Sequence, residues 1–299
     1  MKTALIAAAA AAAAALTGLA AAPASAADVQ IRNAVARVVV ILEDRQDVGV
    51  EVTQGASGLP AVQVRREGRE VRIDGGLGRN GGFWANGGNR IRGCNASRAD
   101  ASQPGRGATV EVSNLGRVRL EDAPMIVIRT PRDVDVSAGG AVFGSVGRGA
   151  RSVELNSGGC GAWNVANVDG RVSLGVGGSG SIRAGSSRAL EANVGGSGGI
   201  YAGPTGDLKA AVGGSGNVEV ASAGGDGDLS IGGSGGINVR QGRMDKLSVA
   251  IGGSGDVRYG GATRDLSVSI AGSGNVRVAS ATGAVSRTVV GSGTLQIGR

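Results

Sequence analysis

The chain of 299 residues contains no histidine and only two residues each of tryptophan, tyrosine and phenylalanine. Without histidine a Ser-His-Asp triad cannot be assembled. So few aromatics leave no stacking platform for single-stranded nucleic acid, and the arginines are scattered among acids instead of forming a basic stripe. No nucleic-acid partner is therefore expected. After residue 26 no apolar run is long enough for a membrane-spanning helix. Cysteine occurs only at Cys94 and Cys160.

What is present begins with an export signal. Lys2, an alanine-dominated run to Leu19 and the closing Ala24-Ser25-Ala26 have the plan of a secretory signal peptide. Cleavage after Ala26 would leave 273 residues and, by removing Lys2, lower the net charge from +7 to +6. No cysteine stands at that point to carry a lipid anchor. The mature protein is expected to be soluble and exported, either to the periplasm or to the cell surface or medium. In an oxidising compartment Cys94 and Cys160 would either pair or remain two separate small buried residues. The residual positive charge would give weak attraction to anionic envelope surfaces or a merely solvated mixed-charge surface.

Glycine is abundant, at 58 residues, and much of it is periodic. A Gly-Gly-Ser-Gly tetrad is centred on Ser179, Ser197, Ser215, Ser234 and Ser254, and shorter forms on Ser273 and Ser292, at spacings of 18 to 20 residues. Cys160 and Ala141 hold the serine slot in two units further upstream, so nine units run from about Val134 to the end. Alternating apolar residues flank each slot: Leu208, Ala210 and Val212 before Ser215, then Val218 and Val220 after it. Period two on both sides of a glycine corner means two half-buried strands per unit. A unit of ~19 residues cannot bury its apolar face alone, whereas stacking units about 4.8 Å apart buries a continuous column. The expected fold is all-β, a parallel β-solenoid of about nine coils over residues 134–299, on the order of 40 Å long at that spacing.

An N-terminal β block over 27–133 is expected to precede it, with strands at Ala36–Glu43, Val48–Gln54, Ala61–Glu67 and Arg69–Gly75 and further runs from Gly107 and Met125. The stretch Gly75–Arg106 has no periodicity, is rich in glycine, asparagine and arginine, and reads as a long loop, either functional or partly disordered.

The tetrad itself is expected to be a corner, where glycine adopts positive φ without steric cost. Gly195–Gly199 and Gly232–Gly236 match the letters of a nucleophile elbow, but no helix follows and no histidine is available. Calcium β-rolls place an aspartate where this chain has Ile182, Ile200, Val218 and Ile237, so no metal site is expected. Lys209 and Lys246 do not follow glycine as a phosphate loop requires, and Gly76–Gly81 fits dinucleotide spacing without the helix that would meet a pyrophosphate. No cofactor is expected.

The units of the type LSVAIGGSGDVRYG, preceded by VIRTPRDVDVSAGG and by VEVTQGASGLPAVQVRREGREVRIDG, resemble the auto-transporter adhesin, head GIN domain family, from about Asn33 to Arg299. The resemblance implies an exported, right-handed β-solenoid of bacterial envelopes and brings no catalytic motif. The chain departs from the family's pattern in the Gly75–Arg106 stretch and at Cys160.

The reading these features favour is a non-enzymatic envelope or surface solenoid acting as a scaffold or adhesin-like binding protein, with an anionic envelope polysaccharide or a surface protein as partner. Its binding surface would involve Phe83 and Trp84, which otherwise would plug the first coil. The alternative is a carbohydrate-active solenoid, a polysaccharide lyase or glycosidase, for which Lys209 and Asp228 share an outward position in adjacent coils and Asp207 lies nearby. Trp163 and Tyr259 occupy slots that hold Val or Ile elsewhere and read as core. The last coil has no evident cap, so self-association through it is expected.

Overall fold

The computed structural model describes residues 27–78, 89–95 and 103–298. The stretch read as a signal peptide lies outside them. Among the described residues the regular elements are all strands, apart from one 3-10 turn at Leu120–Asp122. No helix in that part is long and apolar enough to cross a membrane.

Strand β1 (Ala27–Leu42) is a whole coil, with Val29, Ile31, Ala34, Ala36, Val38 and Val40 turned inward. The chain then descends through β2 (Gly49–Thr53) and β3 (Gln63–Glu67) before returning as β4 (Glu70–Asp74). An inserted sheet follows, of β5 (Ile91–Asn95), β6 (Thr109–Val112) and β7 (Gly116–Arg119). Strand β8 (Met125–Thr130) leads to β9 (Asp133–Val146), the first repeating coil.

Pairing registers give the stacking order. Strand β4 lies parallel to the first half of β1 and β8 parallel to the second half, so together they make the coil beneath it. On its other edge β1 pairs parallel with β9, Ala27 to Val134 through Val40 to Val146. The first coil in sequence is thus the second in space, held between two made later. Strands β2 and β3 run antiparallel to β8 and β4 and close that end of the stack.

From β9, nine coils continue through β10 (Ser152–Ser157) to β22 (Val285–Gly291) and β23 (Thr294–Ile297), all paired in parallel. One inward column reads Trp163, Ile182, Ile200, Val218, Ile237, Val257, Val276, Leu295. Each fully buried Val or Ile in such a column contributes roughly 1.5–3 kcal/mol relative to exposure. Departures in residue size are matched on neighbouring strands. Gly144 lies below Trp163, where a Cβ would collide with the indole. Gly227 stands in a leucine column, and its space is filled by Met244, whose sulfur would be 2.6 Å from a Cβ there.

The corner tetrads turn the chain as expected, but for a different reason. In the Gly-Gly-Ser-Gly units the glycines have no positive φ; only Gly272 and Gly291, in the last two coils, do. Instead the second and fourth positions pass directly over the preceding coil. A Cβ at Gly196 or Gly214 would strike that coil's carbonyl oxygens, and one at Gly198 or Gly216 would sit 2.6–2.7 Å from the methyl of Val176 or Val194. The Ser197 and Ser215 amides donate to those carbonyls at 3.1 Å while their side chains face solvent. Clearance between coils, rather than handedness of the backbone, demands glycine here.

Candidate functional site

The inserted sheet breaks the regularity of the stack. Outward positions of the solenoid wall are polar or small in most coils, as in Ser181, Gly199, Asn217 and Asp256, but the same column holds Phe143 and Ala162. The insert covers those two. Phe143, Ala162, Val35 and Ala141 from the wall pack with Val110, Val112, Val118 and Leu120 into a second apolar core. Cys94 on β5 is disulfide-bonded to Cys160 in the corner slot, with Cα atoms 5.9 Å apart, so the insert is both packed and covalently tied to the first repeats. The stretch 75–106 is accordingly not one loop. It contains β5, which pairs antiparallel with β6, and a five-residue strand carrying Gly93 and a single strong apolar residue, Ile91, leaves little periodicity to detect.

Where insert and wall meet, β1 bulges. Ile31 pairs with Ala138 and Ala34 with Gly140, so β1 carries one residue more than β9 across this step. A bulge re-aims side chains, and here Arg32 and Asn33 are turned out from the wall, Asn33 with φ of 52°. Both neighbouring strands must yield. A Cβ at Gly75 would lie 2.5 Å from the Ala34 Cα, and Gly140, at φ of 109°, faces the Ala34 backbone.

The bulge borders a cleft of about 370 Å3 lined by Arg32, Asn33, Leu77, Asn89, Arg90 and Ile91, with Gly78, Gly139 and Gly140 adding open backbone. Its walls are fixed by backbone bonds: the Arg32 carbonyl accepts from Gly75 at 3.0 Å, Asn33 from Leu77 at 3.1 Å, Asn89 from Gly78 at 2.9 Å and Arg90 from Ser113 at 2.8 Å. Asn114, with φ of 67°, donates its amide to the Asn89 side chain at 3.4 Å. Asn33 and Asn114 are the two non-glycine residues with positive φ among the described residues, and both serve this cleft. Arg32 hydrogen-bonds Gln30, and Asp74, opposite Arg32 on β4, accepts the Gly76 amide at 2.8 Å. Among the described residues neither Arg32 nor Arg90 forms an ion pair.

Phe83 and Trp84 lie outside the described residues. Lys209 is held in register between Glu191 and Asp228, and these line a shallow depression of about 240 Å3 with Asp207 and Arg171. Asp207 is occupied structurally, its Oδ1 accepting the Asp226 amide of the next coil at 3.1 Å. Trp163 and Tyr259 are buried in the solenoid core. Tyr201 lies close to Gly199, where a Cβ would be 3.2 Å from its ring, and the Arg183 guanidinium stands 4.6 Å over the ring centroid, so that face is taken by a cation.

Sequence reasoning missed two features. Arg32, Asn33, Asn89 and Arg90 were passed over because a bulge leaves no pattern, although apolar Phe143 and Ala162 in an outward column marked the covered wall. The other is a carboxylate row, Asp28, Asp135 and Glu154, in one register on three adjacent strands. Burial, reinforced by the charges of Glu154 and Asp28, pushes the Asp135 pKa up to about 6. Among the described residues no group of three or more Asp, Glu, Cys or His side chains converges to hold a metal ion.

No family model matches the chain, and no curated protein matches it. Among solved structures, the crystal structure of a "Putative lipid binding protein" from Parabacteroides distasonis is similar over 92% of this chain and 93% of that one, at 15% identity and a TM-score of 0.47. A likeness that faint carries no inference about what this chain binds.

Proposed function

We propose that the protein is a non-enzymatic binding solenoid of the cell envelope or cell surface, in which the coils act as a rigid scaffold and the inserted sheet with its cleft presents the binding surface. One observation carries this reading. The bulge at Arg32–Asn33, the insert and the disulfide coincide at one place, and the cleft there is rimmed by two arginines that form no ion pair among the described residues. Elsewhere the repeating coils hold their inward residues alike while their outward residues vary. The signal-peptide plan supports export, and the order of β block, proline-bearing strand and Gly-Ser-Gly coils supports placement among the head GIN domain adhesins. An anionic envelope polysaccharide is the partner that the excess of arginine favours.

The test is binding of the mature chain to a panel of purified envelope polysaccharides and to whole cells, before and after Phe83→Ala with Trp84→Ala. Loss of binding with unchanged thermal stability supports a binding loop; lost stability with intact binding makes the aromatic pair a plug. A carbohydrate-active second reading is favoured by one observation, the placement of Lys209 between Glu191 and Asp228 over a depression. New reducing ends or unsaturated products on incubation with the same panel would establish it and displace the first.

A further inference from the structure

From the cleft between bulge and insert we infer a ligand class: a single acidic sugar unit, a pyranose bearing a carboxylate or sulfate. The inference rests on the binding reading above and deepens it. Arginine guanidinium presents a planar fork that matches an oxyanion, and the cleft carries two, Arg32 from the solenoid and Arg90 from the insert, one on each wall. Asn33 and Asn89 add amides of the kind that meet ring hydroxyls, each side-chain amide both donating and accepting. Leu77, Ile91 and the bare backbone of Gly139 and Gly140 offer an apolar floor for the C–H face of a sugar ring. A volume of about 370 Å3 sits at the small end of ligand pockets, roughly 300–1,000 Å3, so one monosaccharide-sized group fits better than a long chain segment.

The geometry is held in place from behind. Arg32 stands on a bulge that Gly75 and Gly140 make room for, Asn89 is held by Asn114, and the wall that carries Arg90 is tied down through Cys94 and Cys160. Ligand would therefore meet a preformed cleft, and little ordering entropy would oppose binding.

The test is calorimetric titration of the mature, disulfide-intact chain with trigalacturonate, its methyl ester, a sulfated trisaccharide and inorganic phosphate alone. Arg32→Ala, Arg90→Ala and, as a distant control, Arg258→Ala are titrated alongside. All three arginines are exposed, so folding is preserved. An acidic trisaccharide should bind, and Arg32→Ala and Arg90→Ala should each weaken it by about tenfold, the scale of one charge-assisted hydrogen bond; Arg258→Ala should change it less than twofold. Preference between carboxylate and sulfate then identifies the oxyanion. Equal binding of the methyl ester, equal weakening by Arg258→Ala, or phosphate alone binding as tightly would overturn the assignment. If the wild-type chain binds an envelope polysaccharide but neither arginine matters, this cleft is wrong and the binding-solenoid reading stands. Failure of every polysaccharide and every cell surface to bind removes that reading too.

Discussion

Asp135 projects from β9 between two other carboxylates, Asp28 on β1 and Glu154 on β10, which occupy the same register on the strands either side. Strand spacing puts such neighbours about 4.8 Å apart along the stack. Asp28 has Gln30 as a hydrogen-bond donor at 3.0 Å, and the nearby Asp133 is held by Arg151 and Ser152 and has its pKa lowered. Asp135 is instead half-buried beside two like charges, and its pKa rises from 3.8 to about 6. The folded state therefore binds a proton more tightly than the unfolded state, so stability from this group is full below pH 4 and is lost as pH rises through 6. Two pKa units correspond to about 3 kcal/mol; because the carboxyl still touches water, about 1–2 kcal/mol is the working figure. Asp135→Asn should thus raise the free energy of unfolding by that amount at pH 7.5 and leave it unchanged at pH 4. Urea unfolding followed by circular dichroism at the two pH values measures the difference directly. A variant no more stable than wild type at pH 7.5, or a gain that is the same at both, would refute the account. Asp28→Asn provides a second check, since removing one like charge should draw the Asp135 titration, followed by carboxyl NMR, downward.

Further outcomes follow from the same structure. Gly216→Ala should destabilise by about 1–3 kcal/mol through overpacking, because its Cβ would press on the Gly198 carbonyl and the Val194 methyl, whereas the exposed Ser215→Ala should stay within about 0.5 kcal/mol; thermal unfolding compares them. Cys94→Ser with Cys160→Ser opens a 66-residue closure and should cost about 2–4 kcal/mol, with limited proteolysis cutting first within the insert and the far-ultraviolet spectrum of the coils unchanged. In the last coil the core-column residues Val285 and Ile297 lie bare, 47% and 41% exposed, and the outward Val290 is 69% exposed, so the chain should self-associate through β22 and β23. Sedimentation should find dimers or larger assemblies that Val285→Lys with Ile297→Lys dissolves, and a strict monomer over a wide concentration range would contradict this.

The coils were legible in the sequence because each repeats the positional demands of its neighbour. Val212, Val218 and Val220 fall in the inward columns that their spacing from Ser215 required, and Trp163 and Tyr259 in the core. Chain order was not legible. Strand β1 pairs with β9 about a hundred residues away, and parallel pairing at that range leaves no local trace. The strands β2, β3 and β4 were visible as alternating runs, but nothing in them says that two would run antiparallel and close one end. The tetrad glycines were recognised as corners on conformational grounds, while the real constraint is steric and comes from the coil beneath, which no single unit contains. Arg32 and Asn33 were missed for a related reason: a bulge is a mismatch between two strands, and one strand alone cannot display it.

That last point bears on where function resides. In a parallel stack each coil is the template for the next, so an extra residue in one must be absorbed by both neighbours. At Arg32–Asn33 the absorption is seen on each side, in Gly75 below and Gly140 above, and it places a non-glycine residue in the left-handed region, a conformation that costs of order 1–3 kcal/mol. A second register shift in the stack, between Tyr259 and Ala262, falls on Gly260 and Gly261 and so turns out no such pair of polar side chains. The step also serves the insert: the Asn33 carbonyl accepts the amide of Leu77, and the extra residue turns Val35 outward, and both side chains belong to the second apolar core. The same irregularity carries one guanidinium and one amide away from the wall to face Arg90 and Asn89 across a cleft. Because this strained step builds a charged cleft as well as joining the two cores, the test of the proposed binding function belongs on Arg32 and Arg90 before any serine of the repeats.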